Sequence, residues 1–538
     1  LYDRPVLVID PGMHTALIRR LSVDRDGRYA VTGSDDKTVR VWEVATGKLL
    51  RTIRLPAGPG NVGKVFAVAL SPDGTTIAAG GWTKGVAGEE QIYLFDRAGG
   101  RMTGRLGGLP DAVFHLAFSP NGDRLAATLA SGGLRLYRRN AGGGWGEAAR
   151  EADYGGRSDG AAFAADGRLA TTGYDGHVRL YDPDLKLIAK RRVAGNKRPF
   201  GVAFSPAGDR LAVGFDDTTA VEIFDGRDLT PRPGPDVSGI DNGDLSEVAW
   251  SADGATLFAG GTYDRGGPNP VVAWDAGGAG ERRFLLAGQY TLFSLAPLPA
   301  GGLLAATADP SLTRLAADGG QVWTQAPLQA DFRALYQTLA LSADGGVVDF
   351  GYQVRGGAPA RFDLRTLAPI MPNPPVDGMT RPPKQDGLPL ADWKWGTSQR
   401  PTLAGEPLPL EPYEVSFALA VAPDEKRFIL GTSYWLRAFA ADSKPLWARP
   451  VPGVVWAVNI TADGKFVVAA YGDGSIRWHT LSDGAELLAF MPLADRTNWV
   501  AWTPEGFYAA TPGARGALQW HVNDREKPWD VAPLSFPV

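Results

Sequence analysis

The chain has 538 residues, 55 basic and 59 acidic side chains for a formal charge of -4, 44% hydrophobic residues and no cysteine. This length accommodates two or three domains with full cores, while the near balance of charge gives no global attraction to nucleic acid or an anionic membrane. The missing cysteine excludes disulfides, thiolate zinc sites and a cysteine nucleophile within these residues, and no apolar run approaches the ~18 to 20 residues of a membrane helix.

In chain order, the first residue is Leu1 and not Met, so an upstream segment, whether signal peptide, tag or other residues, is expected to have been removed or left out, which favours an exported or periplasmic protein over a cytoplasmic one. Residues 5–9 read as a strand that completes a late sheet, because a closed array must remove its free edges. Residues 18–24 alternate as a strand, Asp26-Gly27 turns the chain, and residues 28–34, 38–42 and 48–55 supply three more.

The turn recurs. It reads VDRDG at Gly27, LSPDG at Gly74, FSPNG at Gly122, FAADG at Gly167, FSPAG at Gly208, WSADG at Gly254, LSADG at Gly345, VAPDE at Glu425, ITADG at Gly464 and WTPEG at Gly506, with a degenerate copy near Gly301. The copies lie 39 to 48 residues apart, except for 80 between Gly345 and Glu425. That period predicts an all-β fold of tandem β-propellers, with about twelve four-stranded units. Residues 1–326 are expected to form the first propeller and 327–530 the second, as seven units plus five, with six plus six as the alternative. Residues 371–412 read as a proline-rich loop and a degenerate blade, and 531–538 as a linker to a further domain.

His14, Ser34, Asp36 and Trp42 fall where blades of the WD40 family place a hydrogen-bonded His–Ser–Asp–Trp set, and the first unit resembles that family. The resemblance implies a structural role for the four: Asp accepts from the His ring, the other ring nitrogen meets Ser, and Trp closes the set. Other units place Phe95, Tyr137, Tyr181, Phe224 and Trp274 at the Trp42 position, where an aromatic fills the slot between blades.

The five histidines fall in different units with no HxH or HExxH spacing, so no metal site is expected. The sequence 24–27 (DRDG) starts like a calcium loop but lacks the acidic twelfth position. The glycine-rich stretches 141–146 and 277–280 join strands and not a strand to a helix, so they are hairpin tips and not phosphate loops. No GxSxG elbow is present. No catalytic residue and no cofactor is expected.

At the end of the second strand, where the first unit has Ser34, later units carry Trp82, Tyr174, Phe215, Tyr352 and Tyr471. Two readings stand: a ring of aromatics that grips a protein or peptide ligand, or packing between blades. Residues 320–323 (GQVW) and 444–447 (KPLW) resemble the tryptophan-docking segments of quinoprotein-type blades, which would imply a propeller enzyme; that family's vicinal Cys pair has no counterpart here.

The ends, VLVIDPGMHTALIRR over residues 6–20 and NWVAWTPEGFYAATPGARGALQWHVN over 498–523, resemble the WD40 region of bacterial caspase-like peptidases of the metacaspase and orthocaspase group. The resemblance implies a non-catalytic, protein-binding double propeller that senses or targets for a C-terminal caspase-like domain. The alternative is an independent scaffold that assembles a multiprotein complex, with no nucleic acid and no membrane span.

Overall fold

The computed structural model describes residues 1–84, 88–394, 400–411, 414–523 and 534–537. They form twelve antiparallel sheets: nine of four strands, two of three and one of six. The fold is all-β, a tandem array of WD40-type propeller blades, and no helix among the described residues is long and apolar enough to cross a membrane.

The repeated turn owes its form to local side-chain chemistry. In the copy at Gly74, the Ser71 hydroxyl donates to Asp73 Oδ1 (2.5 Å) and accepts from the Thr76 N–H (2.9 Å), and the Gly74 N–H returns to the Ser71 carbonyl (2.8 Å). Gly74 has φ 71°, a left-handed value that costs glycine little. Ser251 with Asp253, Ser342 with Asp344 and Thr461 with Asp463 repeat the hydroxyl-to-carboxylate bond. The turn therefore depends on a few short-range bonds that any segment of that sequence can make.

Seven sheets close a ring. Their innermost strands are Ile18–Val23, Val65–Leu70, Val113–Phe118, Ser158–Phe163, Pro199–Phe204, Glu247–Trp250 and Leu292–Pro297. Each packs on the next, and Leu292–Pro297 packs back on Ile18–Val23. The second and third strands of each blade are almost wholly buried, as in Arg124–Leu129, whereas outermost strands such as Leu187–Arg192 are exposed. The cores accordingly lie between blades: Val31, Val41 and Ile53 of the first meet Val65, Ile77 and Phe95 of the second.

The seam between the seventh and first blades has a specific lock. Trp323 lies on the outermost strand Gln321–Gln325, and its indole N–H donates to the Val44 carbonyl (3.0 Å). A Cβ on Gly47, which has φ 74°, would come within 2.8 Å of the Trp323 ring. Gly47→Ala combines a left-handed strain with this overlap, so a destabilisation of about 2–3 kcal/mol is expected, read as a lowered urea midpoint; an unchanged midpoint contradicts the lock. Trp447 repeats the arrangement, donating to Leu481 (3.0 Å) with Gly484 under its ring. Both tryptophan-docking segments thus join neighbouring blades.

The remaining sheets pack together beside this ring. Ala340–Leu341, Val347–Gln353, Gly357–Asp363 and Met371–Pro372 form one. Its Phe362 stacks on Phe490 at 4.1 Å and meets Trp499 at 4.9 Å, both from the six-stranded sheet. Short strands Leu390–Ala391, Thr402–Leu403 and Glu406–Pro407 form a three-stranded sheet, and Trp393, Leu403 and Leu408 bury against the following sheet. Trp395, within the stretch read as a degenerate blade, lies outside the described residues.

The stretch 498–523 does not form one sheet. Trp499–Trp502 and Tyr508–Ala510 extend the sheet begun by Val455–Ile460 to six strands, because the hairpin after Glu486–Pro492 folds straight back onto that edge. Leu518–Val522 instead pairs with the N-terminal strand Val6–Ile9, in register Val6 with His521. The expected linker is corrected in part: 534–537 pair with the other edge of Leu518–Val522, an open row of backbone groups, and 531–533 and 538 lie outside the described residues.

Candidate functional site

The structural set of the first blade is built from His14, Thr32, Asp36 and Trp42. His14 Nδ1 meets Asp36 Oδ2 (2.8 Å), Nε2 meets Thr32 Oγ1 (2.7 Å), and the Trp42 indole N–H donates to that same hydroxyl (2.8 Å). Ser34 was expected in the place of Thr32. It instead donates to the Ala16 carbonyl (2.9 Å) and accepts from the Asp36 N–H (3.1 Å). Residues 32 and 34 share one strand face, so the level of the imidazole along the strand decides between them. Burial draws the His14 pKa down against the pull of Asp36, while the His14 and Arg40 neighbours hold Asp36 well below the usual carboxylate range despite its burial.

The five aromatics read either as one gripping ring or as packing between blades separate into two groups. Phe215, Tyr352 and Tyr471 are buried in cores between sheets. The Tyr471 hydroxyl is within 2.8 Å of His479 Nε2, and Tyr352 packs on Phe350 at 5.3 Å. Inter-blade packing accounts for these three, because the end of the second strand lies between neighbouring blades. Trp82 and Tyr174 are half-buried and belong to a different arrangement.

That arrangement occupies one mouth of the ring's channel. The innermost strands of five blades shift register at their second residue: between Ile18 and Arg20, Val65 and Ala67, Val113 and His115, Ser158 and Gly160, and Leu292 and Ser294. The fifth blade shifts between Pro199 and Val202. Each bulge frees one residue from the ladder and re-aims its side chain. The residues so placed are Arg19, Phe66, Phe114, Asp159, Phe200 and Phe293.

All four phenylalanines are half-buried. Phe66 and Phe114 stack with centroids 5.8 Å apart, and Trp82 meets Phe66 edge-on at 6.4 Å. The Arg19 guanidinium stands 4.6 Å from the Phe66 centroid and 5.6 Å from that of Phe293, held by a two-point contact to Asp35 (2.9 and 3.1 Å). Below it, Arg20 donates to Glu247 in a buried ion pair and to the Asp159 carbonyl (3.1 Å), 5.3 Å from the Phe200 ring.

The rim alternates guanidinium and carboxylate. Arg157 lies 3.9 Å from the Tyr174 centroid and 5.2 Å from that of Phe114, with Asp159 at 2.9 Å and Asp216 at 3.7 Å. Arg198 reaches Asp216 at 3.0 Å. Burial, with the charges of Asp159, Asp217 and Asp244 adding to it, pushes Asp216 up to about 7. Burial brings His115, at the next level of the channel, down to about 3, so its ring is neutral at physiological pH. Among the described residues no group of three or more His, Asp or Glu is arranged to hold a metal ion. Half-buried rings surrounded by anchored charges are suited to hold an apolar or aromatic side chain in a polar frame.

Two stretches, residues 9–43 and 47–86, match the family model described as WD domain, G-beta repeat. Proteins named Ribosome biogenesis protein BOP1 homolog, from Drosophila willistoni and Drosophila erecta, are 60% identical over 40 residues. That stretch is 7% of this chain and 5% of each relative. The chain therefore carries WD40 repeats, and the likeness to these relatives spans about the length of one blade.

Proposed function

We propose that this chain is a non-catalytic scaffold that binds a protein segment at the channel mouth of its seven-bladed ring. The observation that carries this reading is the bulge repeated around the ring, which brings Phe66, Phe114, Phe200 and Phe293 to one opening and leaves them half-exposed. Buried aromatic centres with polar rims supply most of the energy in protein interfaces. On this reading residues 1–326 form the binding propeller and 327–530 a second one packed beside it.

The scaffold reading is favoured over a regulator of a caspase-like peptidase. The matched family model is that of the WD domain repeat and names no peptidase, and the matched relatives are named for ribosome biogenesis. The shared 40 residues are one blade's worth, so they support the fold of the first blades and carry no pathway to this chain.

The test is a set of peptides selected against the full chain by display. Phe66→Ala/Phe114→Ala is expected to weaken them at least about tenfold, the cost of losing one or two hot-spot side chains, with the far-UV spectrum unchanged. Phe215→Leu, in the core beside the same ring, is expected to leave their affinity unaltered. Peptides that bind the double variant as tightly as the parent place the interface elsewhere and sink the proposal.

A further inference from the structure

A cavity of 390 Å³ lies where the N-terminal strand Val6–Ile9 passes between the first blade and the sheets that follow the ring. Val6, Leu55, Val451, Met491 and Trp502 give it apolar walls, and Lys37, Arg54, Arg477 and His521 also line it. Arg477 is neutralised by Asp473 and Glu486, each at 2.9 Å. Arg54 lies 3.6 Å from Asp10, which Arg40 also contacts at 2.7 Å.

Lys37 differs from these two. It sits in the turn after Asp36 with φ 69°. Its ammonium donates to the Gly58 carbonyl (2.5 Å) and faces the Tyr2 ring at 5.6 Å. Of the carboxylates that line the cavity, Asp35 holds Arg19, Asp36 holds His14 and Thr38, Asp473 and Glu486 hold Arg477, and Asp3 stands exposed. His521, 2% exposed, shares Nε2 with Asn523 (3.2 Å) and leaves Nδ1 without a partner, as Arg54 leaves Nε. Lys37 is half-buried, and a cation so placed whose nearest oxygen is a neutral carbonyl, with unpaired polar nitrogens in the same walls, leaves room for an anion.

We propose that this cavity binds a small organic anion, a carboxylate or a phosphate ester on a compact apolar body, whose charge pairs with Lys37. The volume is that of an ordinary ligand site, and apolar walls with a few placed polar groups are the usual construction of one. Burial and the like charges of Lys64 and Arg477 draw the Lys37 pKa down to about 7. The other groups lining the cavity are Arg54, the exposed Asp3 and Arg4, the Tyr2 phenol, which burial raises, and the His521 ring, which burial lowers to about 4. An arriving anion stabilises the ammonium, so binding takes up a proton above neutrality and affinity falls as the pH rises.

The test is calorimetric titration of the full chain with benzoate, phenyl phosphate and the uncharged benzyl alcohol. At least one anion is expected to bind, with benzyl alcohol at least about tenfold weaker, and to lose more than about tenfold in affinity between roughly pH 6.5 and 8.5. The benzoate and phenyl phosphate arms distinguish a carboxylate ligand from a phosphate one. Lys37→Met is expected to abolish the preference for charge and Lys37→Arg to keep it. No heat from either anion, equal binding of benzyl alcohol, or binding independent of pH in the unmutated chain would overturn the proposal without reliance on a variant.

Discussion

Arg20→Met is expected to lower the stability of the ring by about 3–5 kcal/mol, the cost of leaving a buried charge without its partner. Both members of the Arg20 and Glu247 pair are under 10% exposed, and they join the first blade to the sixth across the channel. Burial already raises the Glu247 pKa, with Arg20 opposing that rise. Once the guanidinium is gone the folded-state pKa rises further above that of the unfolded chain. The destabilisation is therefore full above that raised pKa and relieved as the pH falls through it toward the ordinary glutamate range, below which the carboxyl is neutral in both states. The Arg20→Met/Glu247→Leu pair is expected to recover most of the loss, because an apolar pair of similar volume replaces a buried ion pair at little cost. Urea unfolding followed by far-UV circular dichroism reads all three proteins. A neutral single variant, or a double variant as damaged as the single one, contradicts the account of the channel.

Trp42→Ala should be comparable in size. Trp42 is 1% exposed and packs into the core that unites the first and seventh blades with Ile18, Leu304 and Leu312. Deleting an indole from such a core costs about 3–5 kcal/mol. Its hydrogen-bond partners give a sharper comparison. Thr32→Val strands the Trp42 N–H and His14 Nε2 together, at about 1–3 kcal/mol for each buried orphan. Ser34→Ala removes only the bonds to Ala16 and Asp36, worth about 1 kcal/mol each. Thermal melts that rank Ser34→Ala as the more damaging of the two would return Ser34 to the set.

What could be read from the sequence separates by range. The turns at Gly74, Gly254 and Gly345 were legible because the hydroxyl, carboxylate and glycine that make them lie within four residues of one another. His14, Asp36 and Trp42 were legible as a motif, yet Thr32 was passed over for Ser34. Alternation places both on one face and cannot say which stands level with an imidazole from another segment. The mouth was written plainly in VFAV, VFHL, PFGV and LFSL at residues 65–68, 113–116, 199–202 and 292–295, and again as SFAL and VWAV at 416–419 and 455–458. A strand pattern with an aromatic breaking into its first turn was the available signal. It was missed because a bulge is a property of two paired strands, and a single strand's alternation does not display it. Phe417 and Trp456 do meet, at 4.9 Å, so the device recurs beyond the seven-bladed ring. The six-stranded sheet was illegible for a related reason: whether a hairpin starts a new sheet or extends the old one depends on the edge it meets.

The pairing of Val6–Ile9 with Leu518–Val522 also sets a timetable. About 500 residues separate the two strands, so at roughly 5–20 residues per second the earlier one waits about 25–100 s on the ribosome for its partner. The ring needs no such wait, since its first and last innermost strands, Ile18–Val23 and Leu292–Pro297, both precede residue 300. Synthesis therefore delivers a closed ring well before the neighbouring unit can be sealed. Through that interval the emerging chain carries an unpaired strand beside a finished propeller, and this is when a chaperone or a competing strand has its opportunity.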